Sequence, residues 1–348
     1  MPALSFSNRV VDWQRTHGRH GLPWQATRDA YKIWLSEIML QQTQVATVLP
    51  YYAKFLERFP NVAALAAATD DEVMAHWAGL GYYSRARNLH NAAKQVVTKH
   101  GGVFPNHVEL LADLPGIGRS TAAAIAAFAY DVIAPILDGN VKRVLARHAA
   151  IEGFPGASTV EKQLWAEAAA RLPDQRKAMV AYTQGLMDLG AKVCTKSDPH
   201  CLRCPIADDC AAKLAGRIAD IPAPRPSKRI PERSQRYLLA LHGDEVLLVK
   251  RPAPGIWGGL WCLPELAEAD DPATIASLRF GVNQILTSTE LPPFKHTFTH
   301  FRLTLAVTQI VVSRLASAAN SPGTLWLAQS ELKTAALPKP ISTLLTGL

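Results

Sequence analysis

A chain of 348 residues exceeds what a single hydrophobic core organises, which excludes a peptide hormone, a small disulfide scaffold and a lone compact module, and predicts two or three domains. Hydrophobic residues at 48% and charged residues at 19% exclude global disorder. The longest apolar stretch, Thr121 to Tyr130, stops at Asp131, well short of the roughly 20 residues that cross a bilayer. The amino terminus lacks the continuous apolar core of a secretory signal, so the cytoplasm is the expected compartment. The 37 Lys and Arg against 29 Asp and Glu leave a net charge of +8, which favours a polyanionic partner without identifying it.

From the start to about Gly216 the pattern is helix after helix, rich in Ala and Leu, with breaks at Pro50, Pro60, Gly79, Gly101, Pro115 and Pro173. Tyr31, Leu35, Ile38, Val45, Leu49 and Tyr52 alternate in steps of three and four, as one face of a single helix, with Gln42 in the vacant place of the stripe. On the same stretch Glu37 has Ile33, Trp34 and Leu40 as helical neighbours. Such a facet desolvates a carboxylate and raises its pKa, as a general acid near neutrality requires; the bland alternative is a Glu bonded within the core.

The run LPGIGRST at 114 to 121 predicts a tight turn between two helices, a helix-hairpin-helix. Gly116 and Gly118 let backbone amides approach a phosphate, and the start of the following helix adds a favourable partial charge. Asp138 stands in ILDGNVKRVLARH beside Pro135, Gly139 and Asn140, close to a helix start. It is either a helix cap or a carboxylate facing positive charge on a sugar.

Four of the five cysteines fall within seventeen residues as Cys194, Cys201, Cys204 and Cys210, with spacers of six, two and five. Four thiolates on short loops converge on a metal centre; zinc and an iron-sulfur cube both accept four sulfurs, and spacing leaves both open. Four cysteine ligands leave no open position for substrate, which favours a structural or DNA-positioning role. Cys262 stands apart and reads as a small buried hydrophobe.

Residues 217–236, with repeated prolines and basic residues, read as an extended linker that forms no helix or central strand. Beyond it YLLALHGDEVLLVKR reads as two apolar strands joined at His242, Gly243 and Asp244, and further strand-like runs follow near Phe298 to Thr308 and Gln309 to Val312. The carboxy-terminal part, 237–348, is therefore expected to be α+β.

LPWQ at 22–25, WLSEIMLQQTQV at 34–45, GLGYYSRARNL at 79–89, LPGIGRSTAAAI at 114–125, ILDGNVKRVLAR at 136–147 and the four-cysteine run resemble the helix-hairpin-helix DNA glycosylases of the endonuclease III superfamily, and the whole chain resembles the MutY-type adenine DNA glycosylases. The resemblance implies an all-α helix-hairpin-helix glycosylase domain with a [4Fe-4S] loop over residues 1–216, the six-helix part at about 30–137 and the cluster part at 1–29 plus 138–216, followed after the linker by an α+β Nudix-like lesion reader at 237–348. It implies hydrolysis of the N-glycosidic bond of adenine mispaired with 8-oxoguanine or guanine, in double-stranded DNA, by a monomer associated with the nucleoid. By the family pattern Glu37 is the acid that protonates adenine and then handles water, and Asp138 stabilises the oxocarbenium or bonds to it transiently. Trp24, Asn140 and Gln184 match positions at the adenine pocket, Gln42 and Tyr82 match positions that wedge into the duplex, and Gly116, Gly118 and Arg119 belong to the DNA-clamping hairpin. Cys194, Cys201, Cys204 and Cys210 match the [4Fe-4S] ligands.

Ser120 stands where bifunctional relatives carry the Lys whose amine attacks the sugar; a hydroxyl forms no Schiff base, so a monofunctional enzyme is expected. GIWGGLWCLPE at 255–265 and HTFTHFRL at 296–303 resemble the family's lesion reader, with Phe298, Thr299 and His300 aligned to a Phe-Ser-His motif that recognises 8-oxoguanine. The Arg-Glu-x-x-Glu-Glu run of Nudix hydrolases is missing, which predicts binding without magnesium-dependent hydrolysis. The competing readings are a bifunctional oxidised-pyrimidine glycosylase/AP lyase, a non-catalytic iron-sulfur DNA-binding protein and a nucleotide pyrophosphatase.

Overall fold

The computed structural model describes residues 5–227, 229–253, 255–314, 322–332 and 334–347. Contacts divide the chain into two units, Met1–Ala67 with Asn88–Ser227 and Ala68–Arg87 with Lys228–Leu348. No helix among the described residues is long and apolar enough to cross a membrane.

The first unit is helical: α1 (Phe6–His17), α2 (Ala30–Leu40), α3 (Val45–Arg58) and α4 (Val62–Ala67) lead to α5 (Asp70–Trp77), which belongs to the second unit, and α6 (Ser84–His100) returns to the first. Then come α7 (Val108–Ala112), α8 (Arg119–Tyr130), α9 (Gly139–His148), α10 (Ser158–Ala170), α11 (Met179–Lys192) and α12 (Ala211–Leu214). α11 packs on α1, α8 and α9. Its Tyr182, Leu186 and Leu189 share a core with Val10, Val141 and Leu145, each buried and each contributing about 1.5–3 kcal/mol. Gly190 is required at the α9 contact, because a Cβ there would stand 2.6 Å from the Cβ of Asn140.

The stripe from Tyr31 to Tyr52 is not one helix. α2 ends at Leu40, where Gln41 N–H turns back to Ile38 O and Thr43 N–H to Leu40 O; Gln44 is the extended N-cap of α3. Between them Gln42 adopts φ 58°, a left-handed conformation that ends any α-helix. The apolar spacing survives the break because Tyr31, Leu35, Ile38 and Tyr52 are all buried. Pro50 is no break either: it lies inside α3, where a proline removes one helical hydrogen bond without stopping the amphipathic run.

The second unit holds a mixed sheet with β1 (Glu232–His242), β2 (Glu245–Lys250), β3 (Trp261–Cys262), β4 (Glu265–Leu266), β5 (Val282–Thr297), β6 (Arg302–Arg314) and β7 (Thr324–Ala328). The path is β3-β2-β1-β6-β5, with β4 on β1 and β7 on β2. β1 and β6 are parallel and the remaining pairs antiparallel. Two helices, α13 (Pro272–Phe280) and α14 (Lys339–Leu345), complete it, and Leu238, Ala240, Leu247 and Ile310 share a core with Ala276 and Phe280 of α13. The predicted hairpin at His242 to Asp244 is present, with Gly243 at φ 58°. The expected linker is shorter than read: its last residues, from Glu232, begin β1, a central strand paired with β6 from Glu232↔Arg302 onward. The last proline is Pro231, so every later residue of β1 offers an N–H to the ladder.

Candidate active site

The first unit encloses a cavity of about 720 Å³ lined by residues of α2, the α2–α3 turn, the hairpin, the start of α9 and α11. Glu37 and Asp138, more than a hundred residues apart in sequence, both line it. Glu37 reaches it from α2 and is pushed up to about 8, first by burial and second by the negative charge of Asp138. Asp138 is the N-cap of α9, its Oδ1 accepting from Val141 N–H at 2.8 Å. Burial raises its carboxyl above the ordinary value, while the Val141 and Asn140 N–H groups and the charges of Arg143 and Arg19 pull the other way. Both carboxyls are thus raised by burial, but on Asp138 four neighbouring groups oppose the rise, whereas on Glu37 the charge of Asp138 adds to it. Asp138 caps α9 and also lines the cavity, so the cap expected from sequence does not remove it from the site.

Around this pair the cavity wall includes Trp24, Gln42, Ser120, Asn140 and Gln184. Trp24 is buried on a short 3-10 turn, edge-on to Tyr52 at 5.2 Å. Gln184 donates to Asp188 Oδ1 at 2.8 Å, and Asp188, fully buried, also accepts from Arg19 through its backbone N–H at 2.7 Å and its Nε at 2.6 Å. Asn140 Oδ1 accepts from Arg143 Nη2 at 2.9 Å, and the same guanidinium donates to the carbonyls of Gly190 and Cys194. Arg19, Asp188 and Arg143 escaped the sequence reading. The available signal was an Asp one helical turn beyond Gln184, and an Arg at the third residue after Asn140, spaced for one helix face.

The hairpin is formed by LPGIG between α7 and α8. Gly116 has φ 79°, and a Cβ there would stand 2.8 Å from the Cβ of Asn88, so this glycine is needed twice over. Gly118 is extended, with open space where a Cβ would lie, and is the N-cap of α8 without a side-chain cap. Ser120 Oγ accepts from the N–H of buried Leu137 at 2.8 Å, tying the hairpin to the residue before Asp138. Arg119 is not brought to the cavity: its guanidinium stacks 3.9 Å from the Trp165 ring centroid and lines a different cleft with His107, Glu109 and Arg176. Gln42 is exposed with its left-handed backbone at the cavity. Tyr82 also has positive φ, 51°, is 43% exposed and lies in the second unit, beneath the Arg85 guanidinium.

Cys194, Cys201, Cys204 and Cys210 are free thiols lining one small apolar pocket with Val193 and Ile218. Cys204 is pushed up to about 12 by burial and by the other three sulfurs. Arg147 Nη1 donates to Cys194 Sγ at 3.4 Å, and its guanidinium also holds the carbonyls of Thr195, Lys196 and Ile221. Four sulfurs lining one apolar pocket beside an Arg donor have the chemistry of a negatively charged all-thiolate centre. Among the described residues no group of three or more His, Cys, Asp or Glu is drawn in tightly enough to hold a metal ion. Cys262 is buried in the sheet unit, as expected of a small hydrophobe.

The HhH-GPD superfamily of base excision DNA repair proteins matches residues 35–169, and the NUDIX domain family matches residues 236–347. The adenine DNA glycosylase of Buchnera aphidicola subsp. Baizongia pistaciae is 36% identical over 100% of this chain and 98% of its own length. The chain belongs to the MutY-type adenine DNA glycosylases. The human adenine DNA glycosylase is 32% identical over 96% of this chain and 72% of its own. A thermostable thymine-DNA glycosylase structure covers 60% of the chain and 95% of its own, at TM-score 0.54 and 27% identity. Endonuclease III in a non-covalent DNA complex shares the fold over 60% of this chain and 94% of its own, at TM-score 0.51 and 19% identity.

In this MutY-type chain the Phe298, Thr299 and His300 motif occupies the turn between β5 and β6, closed by Phe298 N–H to Phe301 O at 2.9 Å. Thr299 and His300 are exposed, with Thr299 Oγ1 3.4 Å from His300 Nδ1. Phe298 stacks on Phe301 at 4.4 Å and contacts His296 at 4.7 Å and Trp257 at 5.5 Å. Trp257 and His296 were not singled out from sequence. Trp257, at φ 56°, sits in a Gly-rich loop that reads as a plain turn until the sheet brings it beside Phe298.

Proposed function

We propose that this chain is a monofunctional adenine DNA glycosylase of base excision repair acting on adenine opposite 8-oxoguanine or guanine, with Glu37 as general acid and Asp138 as the carboxylate facing the sugar. The carrying observation is that two buried carboxyls from distant stretches of chain, only one of them held by N–H donors and guanidinium charges, line one cavity large enough for an extruded nucleotide. Duplex DNA hides the glycosidic bond, so adenine leaves the stack and enters the pocket. Protonated Glu37 gives its proton to the adenine ring, the C1′–N9 bond breaks with its electron pair going to the base, and ionised Asp138 lies against the resulting positive sugar. The four cysteines would hold a [4Fe-4S] cluster, which when bound braces the loop after α11. Gly116, Gly118 and the uncapped start of α8 would clamp a phosphate, and Gln42 and Tyr82, both in strained left-handed backbone, would enter the duplex. Phe298, Thr299 and His300 would read the lesion base opposite.

The test is Glu37→Gln on a duplex carrying adenine opposite 8-oxoguanine. Adenine release, seen as alkali-labile sites, should collapse while the duplex still binds; unchanged release removes Glu37 from the role. Strand breaks without alkali in the wild-type reaction would favour the lyase reading instead.

A further inference from the structure

Behind Glu37 lies a second cavity, of about 320 Å³, that shares Glu37, Gln184, Trp24 and Arg19 with the first. The two stand in series along two helices. On α2, Ile33 and Ser36 line the rear cavity, Leu40 and the C-cap Gln41 the front one, and Glu37 both. On α11, Val180 and Ala181 line the rear, Met187 and Ala191 the front, and Gln184 both. A helical turn advances about 5.4 Å, so the rear chamber reaches about one turn beyond the Glu37–Gln184 waist and the front one up to about two turns along α11. The far wall of the rear chamber carries Arg15, Arg28 and Lys177, all exposed, which puts that end at the protein surface.

We propose that the rear chamber is a solvent conduit that delivers the hydrolytic water to Glu37 while DNA closes the front cavity. The inference rests on the adenine-glycosylase reading above. Hydrolysis consumes one water per turnover. In the bound complex the front cavity is filled by the extruded nucleotide, and Asp138 covers one face of the sugar. The new bond must form from the side the base has left, which is the side of Glu37. There the water oxygen bonds to C1′, and its proton passes to the Glu37 carboxylate, restoring the acid that was spent on adenine; no other reactant is needed. A water occupies about 30 Å³ in the liquid, so the chamber holds a supply of them, and Ser36 and Gln14 line it with polar groups. The front and rear openings thus divide the labour: one admits nucleotide, the other solvent.

Narrowing the conduit tests this without touching the carboxylates or the DNA-facing residues. Ala181→Phe, on α11, and Thr27→Phe, in the loop before α2, each place a ring in the rear chamber. The full chain is incubated with a duplex carrying adenine opposite 8-oxoguanine in aqueous methanol, and the methyl glycoside is measured against the hydrolysed sugar. A narrowed passage discriminates against the larger nucleophile, so the methyl glycoside share should fall by about threefold or more in both variants. Loss of folded protein lowers both products equally and leaves their ratio alone, so partial misfolding does not mimic the result. A wild-type ratio in either variant, measured on its folded, DNA-binding fraction, overturns the conduit. Absence of adenine release by the wild-type chain would instead overturn the glycosylase reading.

Discussion

The helical unit hides its chemistry and the sheet unit displays its own. Glu37 and Asp138 sit in a cavity where burial raises both carboxyls and fixed donors orient one of them, whereas Thr299 and His300 stand exposed on a β-turn, propped from behind by Phe298, Phe301 and Trp257. The difference suits the tasks proposed for them. A proton donor near neutrality needs desolvation and a fixed geometry, while a reader of base edges needs polar groups that reach outward from a rigid support. Damage to the first unit should therefore change the rate of adenine release, and damage to the second should change which mispair is preferred.

The sharpest attempt to break that division is Glu37→Gln, expected to lower single-turnover adenine release by about 10²- to 10⁴-fold with duplex affinity little changed. Asp138→Asn should cost about 10²- to 10³-fold in the same assay. Asparagine still caps a helix, so thermal unfolding should move little, which separates charge from capping. The pH profile comes next. With Glu37 as the proposed acid, the wild-type rate should fall about tenfold per pH unit above about 8, where the carboxyl loses its proton. The same raised pKa means that the stability Glu37 contributes is full below its ordinary value and is lost as pH rises through about 8, so Glu37→Gln should melt higher than wild type at pH 9. Ser120→Ala leaves the buried Leu137 N–H without its acceptor and should slow release by about tenfold through a displaced Asp138. Ser120→Thr, which keeps the oxygen, should recover most of the rate; equal loss in both would remove the hydroxyl from this role. The smallest effect should come from Thr299→Ala, with excision opposite guanine nearly unchanged and preference for 8-oxoguanine reduced severalfold. Equal losses on both duplexes would erase the contrast between the two units.

Much of this arrangement was legible in the chain because the determining signals are local. The apolar neighbours of Glu37, the glycines of the hairpin and the crowded cysteines each act within a few residues, and the hairpin at His242 to Asp244 is of the same kind. What escaped depends on tertiary neighbours. Nothing near Arg19 indicates that its partner is Asp188, and nothing near Trp257 indicates that a turn forty residues on will rest against it. The stripe through Gln42 misled for a different reason: two helices facing one core can keep in phase across a break, and periodicity does not register the left-handed residue between them. The start of β1 was missed because proline density was read past its last member, Pro231.

Asp138 caps its helix and, in the proposed reaction, also faces the sugar, and the two uses call on different chemistry. The helix needs only an oxygen to accept from Val141; the sugar needs a full negative charge. An amide at this position would leave a protein that looks healthy by every measure of folding and still holds its mispair. Folding assays alone would therefore miss the defect, and only the release of base would reveal it.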